Sequence, residues 1–242
     1  MSDDVSRGMK ETAEQVGKKA RQEFSEEASE QLAKHGDKVA KGLEETSEQP
    51  HPEAHWEGHR WESNLEELHE KMLANNVPIN SEVHSIEEIA KQQAEILKVR
   101  DGEEALSSSL KKGNFGEMVQ DEYYRQFGYE RISKDMVTGL DDVGRRGIDG
   151  VYYNPNGNPP YIIAEAKYNT SRLSKGLADG TDQMDFEWID KRLDKAVSEE
   201  HSLAIRKSLL KSDSNVQSHL FNIKQDGDII VSQLDEMAKK MK

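Results

Sequence analysis

Apolar residues recur along the chain with a spacing that changes near residue 113. Between residues 1 and 48 they fall four or seven positions apart, as Val5, Met9 and Val16 do, which predicts a long, weakly amphipathic helix. The apolar stripe is thin and rich in alanine, so the helix has little apolar surface to bury. Two interpretations fit this pattern: a solvated helix, or a segment for partner binding or delivery.

The segments between residue 47 and residue 112 are short and interrupted by turn-forming residues. Ser85 followed by Glu88 has the sequence of a capping box, which marks the start of a helix. We predict two linkers, at residues 47–60 and 100–112, and two short helices, at residues 61–76 and 86–98. Residues 1–112 are therefore interpreted as an acidic helical N-terminal region that does not carry the chemistry.

From Gly113 onward, helical periodicity alternates with strand-like segments that are bounded by turn residues. Helices are predicted at 114–127, 182–197 and 200–211, and strands at 147–154, 160–169, 216–224 and 229–234. This mixed order predicts an α/β (α+β) fold for residues 113–242, with a small mixed sheet flanked by helices.

Charge and composition exclude several classes of protein. The 242 residues carry a formal net charge of −14, and most of the acidic excess precedes residue 110. The nearly balanced C-terminal half can therefore still form a local basic groove for nucleic acid. Because the chain has no cysteine, any metal must be held by carboxylate, histidine, carbonyl or water. We expect no membrane-spanning segment and no Sec-type signal peptide, since no apolar run is long enough.

The predicted strand at 160–169 contains two charges in an otherwise apolar segment. Side chains alternate across a strand, so Ile163, Glu165 and Lys167 share one face. Charges on a buried strand are costly unless they are paired or bound to a metal. Two interpretations are open: a central strand that carries a catalytic pair, or an edge strand with a solvated Glu–Lys pair.

Asp149 lies in the preceding strand-like segment, among apolar residues and glycines, where acids are disfavoured. If the two segments pair, Asp149 and Glu165 converge on one divalent cation. Mg²⁺ suits oxygen ligands best, and Mn²⁺ or Zn²⁺ are alternatives. Such an ion activates water and stabilises the phosphorus transition state. Lys167 would orient that water or neutralise charge that develops on the phosphate.

The order Asp149…Glu165-Ala166-Lys167 resembles the PD-(D/E)XK nuclease superfamily, with Ile148 where the superfamily name has proline. Four segments in order resemble the C-terminal nuclease domains of bacterial polymorphic toxins, which occur on contact-dependent inhibition, Rhs-type and LXG-type effectors. The segments are GNFGE from Gly113, RRGIDGVY from Arg145, AEAKY from Ala164 and GTDQM from Gly180. The resemblance covers about residues 112–242 and implies a restriction-endonuclease-like core.

The resemblance also implies further site residues. Glu117 would complete the acidic site, although an acid in the first turn of a helix, favoured by the helix dipole, is an equal alternative. Gln183 would bond the water or a neighbouring carboxylate, or be a plain surface glutamine behind an N-cap at Thr181 or Asp182. Candidate phosphate contacts, each also explained as an ordinary surface charge, are Arg145, Arg146, Arg172 and Lys175.

The function implied by this resemblance is a toxin-type, metal-dependent endonuclease used in interbacterial competition. Its substrate would be DNA in preference to RNA, and a tRNA-cleaving ribonuclease is the alternative within the same chemistry. A cognate immunity protein would restrain it, and it would act in the cytoplasm of the target cell after secretion or delivery. A non-catalytic interaction module on a degenerate nuclease fold is the alternative from another class.

Overall fold

The computed structural model describes residues 58–74, 81–143, 147–211 and 213–242. These residues belong to one compact unit, Pro50–Lys242. The helix predicted for residues 1–48 lies outside the described residues, as do Arg145 and Arg146.

Helices and strands alternate along the described part of the chain. In order they are β1 (Arg60–Asn64), α1 (Leu65–Leu73), α2 (Ile86–Arg100), α3 (Ser109–Gln126), β2 (Glu130–Arg131), β3 (Gly150–Tyr153), β4 (Tyr161–Tyr168), α4 (Phe186–Ala196), α5 (Glu199–Lys211), β5 (Val216–Ile223) and β6 (Asp228–Leu234). All helices and strands predicted after Gly113 are present, with ends that differ by a few residues. The two-residue strand β2 was not predicted.

The six strands form one mixed sheet in the order β1-β6-β5-β4-β3-β2. The central pair β4 and β5 is parallel, and every other neighbouring pair is antiparallel. A parallel pair needs a crossover connection, which α4 and α5 supply between β4 and β5. The predicted fold class, a mixed sheet flanked by helices, is confirmed.

Each face of the sheet buries its own apolar cluster, because successive side chains of a strand point to opposite faces. On one face, Tyr152, Ile162 and Phe221 pack with residues of α1, α2 and α3. On the other face, Val151 and Ile163 pack with residues of α4 and α5. The sheet is thus the middle of three layers, and the face that carries Ile163 also carries Glu165 and Lys167.

Side-chain caps explain where the helices begin. The predicted capping box is present, because Ser85 accepts from the backbone of Glu88 and Glu88 accepts from the backbone of Ser85. Ser108 caps α3 by accepting from the amide of Lys111 at 3.1 Å. As a result α3 begins at Ser109, inside the segment that was predicted to be a linker.

The folded unit begins well before residue 113, which differs from the predicted organisation. The segment predicted as a helix at 61–76 begins instead as β1, which pairs with β6 at the edge of the sheet. Leu68, Met72 and Ile96, from α1 and α2, are buried in the same core cluster as α3. The sequence signal was weak here, because β1 contains a single apolar residue, Trp61, and its pairing partner lies far along the chain.

Candidate active site

Glu165 and Lys167 lie on the central strand β4, which has β3 on one side and β5 on the other. The alternative of a solvated pair on an edge strand is therefore wrong. The Glu165 side chain is 2% exposed and the Lys167 side chain 15%, and Lys167 Nζ lies 2.6 Å from Glu165 Oε1. A buried carboxylate is thus paired with an ammonium that reaches the surface.

Asp149 stands beside Glu165 across the sheet. The register that pairs Gly150 with Ala164 continues by one residue to bring Asp149 opposite Glu165. The amide of Ala166 donates to Asp149 Oδ2 at 3.0 Å. The carboxyl group of Asp149 lies close enough to that of Glu165 to interact with it electrostatically. No donor among the described residues reaches Glu165 Oε2.

The surroundings of Asp149 and Glu165 disfavour a negative charge on both carboxyl groups at once. Burial raises the pKa of Glu165 well above its usual value, and the adjacent Asp149 raises it further. Burial also raises the pKa of Asp149, although Lys167 works against this shift. Two adjacent carboxyl groups cannot both be ionised at low cost unless a cation lies between them. Without a cation, the pair retains a proton.

Glu117 extends the acidic site from α3. Because α3 begins at Ser109, Glu117 lies in the third turn, and its interpretation as a first-turn acid stabilised by the helix dipole is wrong. The side chain is half-buried. Burial and the nearby Asp149 raise the pKa of Glu117 to about 9. The same cation that would neutralise Asp149 would therefore also offset the negative charge of Glu117.

Gln183 contacts Glu165 directly. Its Nε2 group donates to Glu165 Oε1, and its own Oε1 accepts from the amide of Ser174 at 3.0 Å. It is therefore not a plain surface glutamine. The N-cap of α4 is Asp185, which accepts from the amide of Trp188 at 2.7 Å, and not Thr181 or Asp182 as predicted. Anchored at both ends, Gln183 holds the Glu165 carboxylate in one orientation.

A cleft opens beside Asp149, with about 60 Å³ of free space, enough for a few water molecules. Its lining residues are Glu117, Ser133, Asp135, Val137, Gly147, Ile148, Asp149, Arg192, Lys195 and Ala196. The predicted phosphate contacts Arg172 and Lys175 are exposed and do not line it. Arg192 and Lys195, which the sequence did not single out, supply the positive charge in this cleft.

A buried ion pair supports the backbone of Asp149. Arg131 donates through Nη2 to the Asp149 carbonyl at 2.6 Å and through Nη1 to Asp121. Asp121 is held in turn by Gln92 Nε2 at 2.7 Å and by the Tyr152 hydroxyl at 2.5 Å. This network was not predicted from the sequence, although an acid such as Asp121 among the apolar positions of a helix was a usable signal.

The chemistry of these residues fits a divalent cation. Asp149 lines the space for water, and the neighbouring Glu165 has one buried oxygen, Oε2, that receives no donor from the described residues. Among the described residues, no three His, Cys, Asp or Glu side chains form a ready set of metal ligands. Mg²⁺ commonly binds through one or two carboxylates and fills its other positions with water and substrate, so two acids are an adequate set.

The effect of Glu117 on stability provides a test that needs no substrate. A carboxyl whose folded pKa is raised from 4.5 to about 9 stabilises the fold fully below pH 4.5 and loses that contribution as pH rises toward 9. In EDTA we expect Glu117→Gln to have a higher Tm than the wild type, and the difference should grow between pH 5 and pH 9. At pH 9 the difference should reach about 4 °C, which corresponds to roughly 1–2 kcal/mol in a domain of this size.

Thermal unfolding followed by circular dichroism measures this difference, with the exposed Glu103→Gln as the control for loss of one surface charge. Added Mg²⁺ should shrink the difference, because the cation offsets the carboxylates. A difference in Tm that stays constant with pH would show that Glu117 experiences no unusual environment.

No helix among the described residues is both long and apolar enough to cross a membrane. Comparison of the chain with protein-family models, with curated proteins and with solved structures gave no match.

Proposed function

We propose that this chain is a metal-dependent endonuclease that hydrolyses phosphodiester bonds. One observation carries the proposal: Asp149, which directly precedes β3, lies beside Glu165 of the central strand β4, with Lys167 bonded to Glu165 at 2.6 Å. Burying three charges together on a sheet face is costly for stability alone. Such clusters are typical of active sites, where the field of the protein is arranged around a reacting group.

Each residue of the site has a separate role. Asp149 and Glu165 would hold the cation, with Glu117 adding negative charge at the cleft. When bound, the ion would polarise the phosphate and lower the pKa of water to near neutrality. Lys167, part-exposed next to Glu165, would orient the attacking water or offset charge that develops on the phosphate. Gln183 would keep Glu165 in its ligating orientation.

The biological setting follows from the resemblance to polymorphic-toxin nuclease domains. We propose a secreted or delivered effector that acts in the cytoplasm of a target cell and is neutralised by a cognate immunity protein. A substrate groove must be locally positive to accept phosphates, and such a groove would also suit an acidic inhibitor, because complementary charge speeds association. DNA is the preferred substrate in this proposal, and tRNA is the second candidate, because the same metal chemistry attacks either phosphodiester.

The test is incubation of the full chain with plasmid DNA and, separately, with total tRNA. Each substrate is combined with Mg²⁺, Mn²⁺, Zn²⁺ or EDTA. We expect cleavage with at least one divalent cation and none in EDTA, and we expect Asp149→Asn to be inactive with every metal. The substrate that is cut decides between a deoxyribonuclease and a ribonuclease.

The non-catalytic alternative makes the opposite forecast. An interaction module on a degenerate nuclease fold would cut neither substrate with any metal, and its expression without an immunity protein would be harmless. Cleavage that persists in EDTA would also refute the metal-dependent proposal.

A further inference from the structure

Positive charge in the cleft comes from one helix, α4. The chain as a whole is acidic, with a formal net charge of −14, so nucleic-acid phosphates must be met by a local group of cations. Among the residues that line the cleft, those cations are Arg192 and Lys195. They are three positions apart on α4, which makes them neighbours on one helix surface.

Arg192 is held in place before any ligand binds. Its guanidinium lies 4.6 Å above the ring of Trp188. Trp188 is buried in the core cluster on the face of the sheet that carries Ile163. Nη1 donates to the Trp188 carbonyl at 3.1 Å, and Nη2 donates to Asp179 at 2.7 Å. A guanidinium has five N–H donors, so these two contacts leave capacity for phosphate oxygens. Ordering it in advance lowers the entropy cost of binding.

Lys195 complements this fixed group. It is exposed at the end of α4, whereas Arg192 is only partly exposed. A lysine on a flexible stem contacts phosphate as a mobile point charge, while an arginine contacts it through a planar fork. The two together suit successive phosphates of a strand better than they suit one small anion.

We infer that Arg192 and Lys195 bind the phosphates that flank the scissile one, so that a polynucleotide strand is preferred as substrate over an isolated phosphodiester or phosphomonoester. The inference rests on the proposed function, which puts the scissile phosphate at Asp149, Glu165 and Lys167. It replaces Arg172 and Lys175 as the phosphate contacts predicted from sequence.

Binding is the direct test, measured by fluorescence anisotropy of a labelled DNA duplex in EDTA over a range of salt. Lys195→Glu and Arg192→Gln should each weaken binding about tenfold and lower the slope of log K against log salt by about 1, as expected for loss of one phosphate contact. Lys207→Ala, an exposed lysine on α5 outside the cleft, is the matched control and should bind like the wild type.

Cleavage separates this role from chemistry. Activity on the duplex is compared with activity on bis(p-nitrophenyl) phosphate, a diester that lacks neighbouring phosphates. For the Lys195 and Arg192 variants we expect the ratio of the two kcat/KM values to fall about tenfold, mainly through a higher KM for the duplex. An equal loss on both substrates would overturn the inference, because the residues would then act on the reacting group or on the fold.

The outcomes also distinguish this inference from the proposed function. Wild-type protein that cuts neither substrate but binds DNA through Arg192 and Lys195 would refute the nuclease and keep the phosphate contacts. Cleavage and binding that are unchanged in both variants would keep the nuclease and refute the contacts. Lys195→Glu alters an exposed side chain, so its result does not depend on the packing of Trp188.

Discussion

Glu165→Gln should lower kcat/KM for phosphodiester cleavage by about 1000-fold, the upper range seen when one preorganised group aimed at the transition state is removed. In the proposed mechanism Glu165 would contribute negative charge that holds the cation, and it contacts both Lys167 and Gln183. An amide of the same shape preserves packing but not charge. The measurement is steady-state cleavage at saturating Mg²⁺ on the substrate identified in the first incubation.

Two controls make this result specific. Glu187→Gln changes an exposed acid on α4 that pairs with Lys191 at 2.8 Å, and it should leave cleavage unchanged. The Tm of Glu165→Gln should be no lower than that of the wild type in EDTA, because the substitution removes one of two adjacent acids. Full activity of Glu165→Gln with its fold intact would rule out this residue as a catalytic group.

Arg131→Met should destabilise the protein by about 3–5 kcal/mol, the cost of leaving one member of a buried ion pair without its partner. The side chain of Arg131 is 4% exposed, and that of Asp121 is 0% exposed. Burial by itself would lower the pKa of Arg131, but Asp121, Tyr152 and Glu117 together outweigh burial and raise it, so the arginine is charged. Methionine fills a similar volume but does not neutralise the charge of Asp121.

Urea unfolding measures the effect, and two further variants explain it. Adding Asp121→Asn to Arg131→Met should recover part of the lost stability, since an uncompensated buried charge is then removed. Arg206→Met, which breaks the part-exposed contact with Asp190 at 2.6 Å, should cost no more than about 1 kcal/mol. If Arg131→Met and Arg206→Met lowered the free energy of unfolding by the same small amount, the buried network would contribute no more to stability than a part-exposed ion pair.

Loss of Arg131 should also reduce cleavage in the fraction that remains folded, because the Asp149 carbonyl loses its donor at 2.6 Å. This positioning effect should appear as a higher Mg²⁺ concentration for half-maximal activity, by about 10-fold or more, as is typical when groups that support metal ligands are removed. A purely structural role would lower the amount of folded protein without changing that concentration.

Local sequence was sufficient for the features that depend on neighbouring residues. The alternation of β4 put Glu165 and Lys167 on one face, and Ser85 with Glu88 marked the start of α2. Both follow from the geometry of a single strand or helix, so no tertiary contact was needed to foresee them. The order of helices and strands after Gly113 indicated the mixed sheet for the same reason.

Tertiary structure decided what depends on distant parts of the chain. The antiparallel register of β3 and β4 sets Asp149 opposite Glu165, and only the packing of α4 brings Arg192 to the same cleft. The pairing of β1 with β6 joins residues about 170 positions apart, a separation at which hydrophobic periodicity carries no information about partners. The sequence therefore determined the type of chemistry each segment could carry, while long-range pairing and burial determined which groups meet and how costly their charges are.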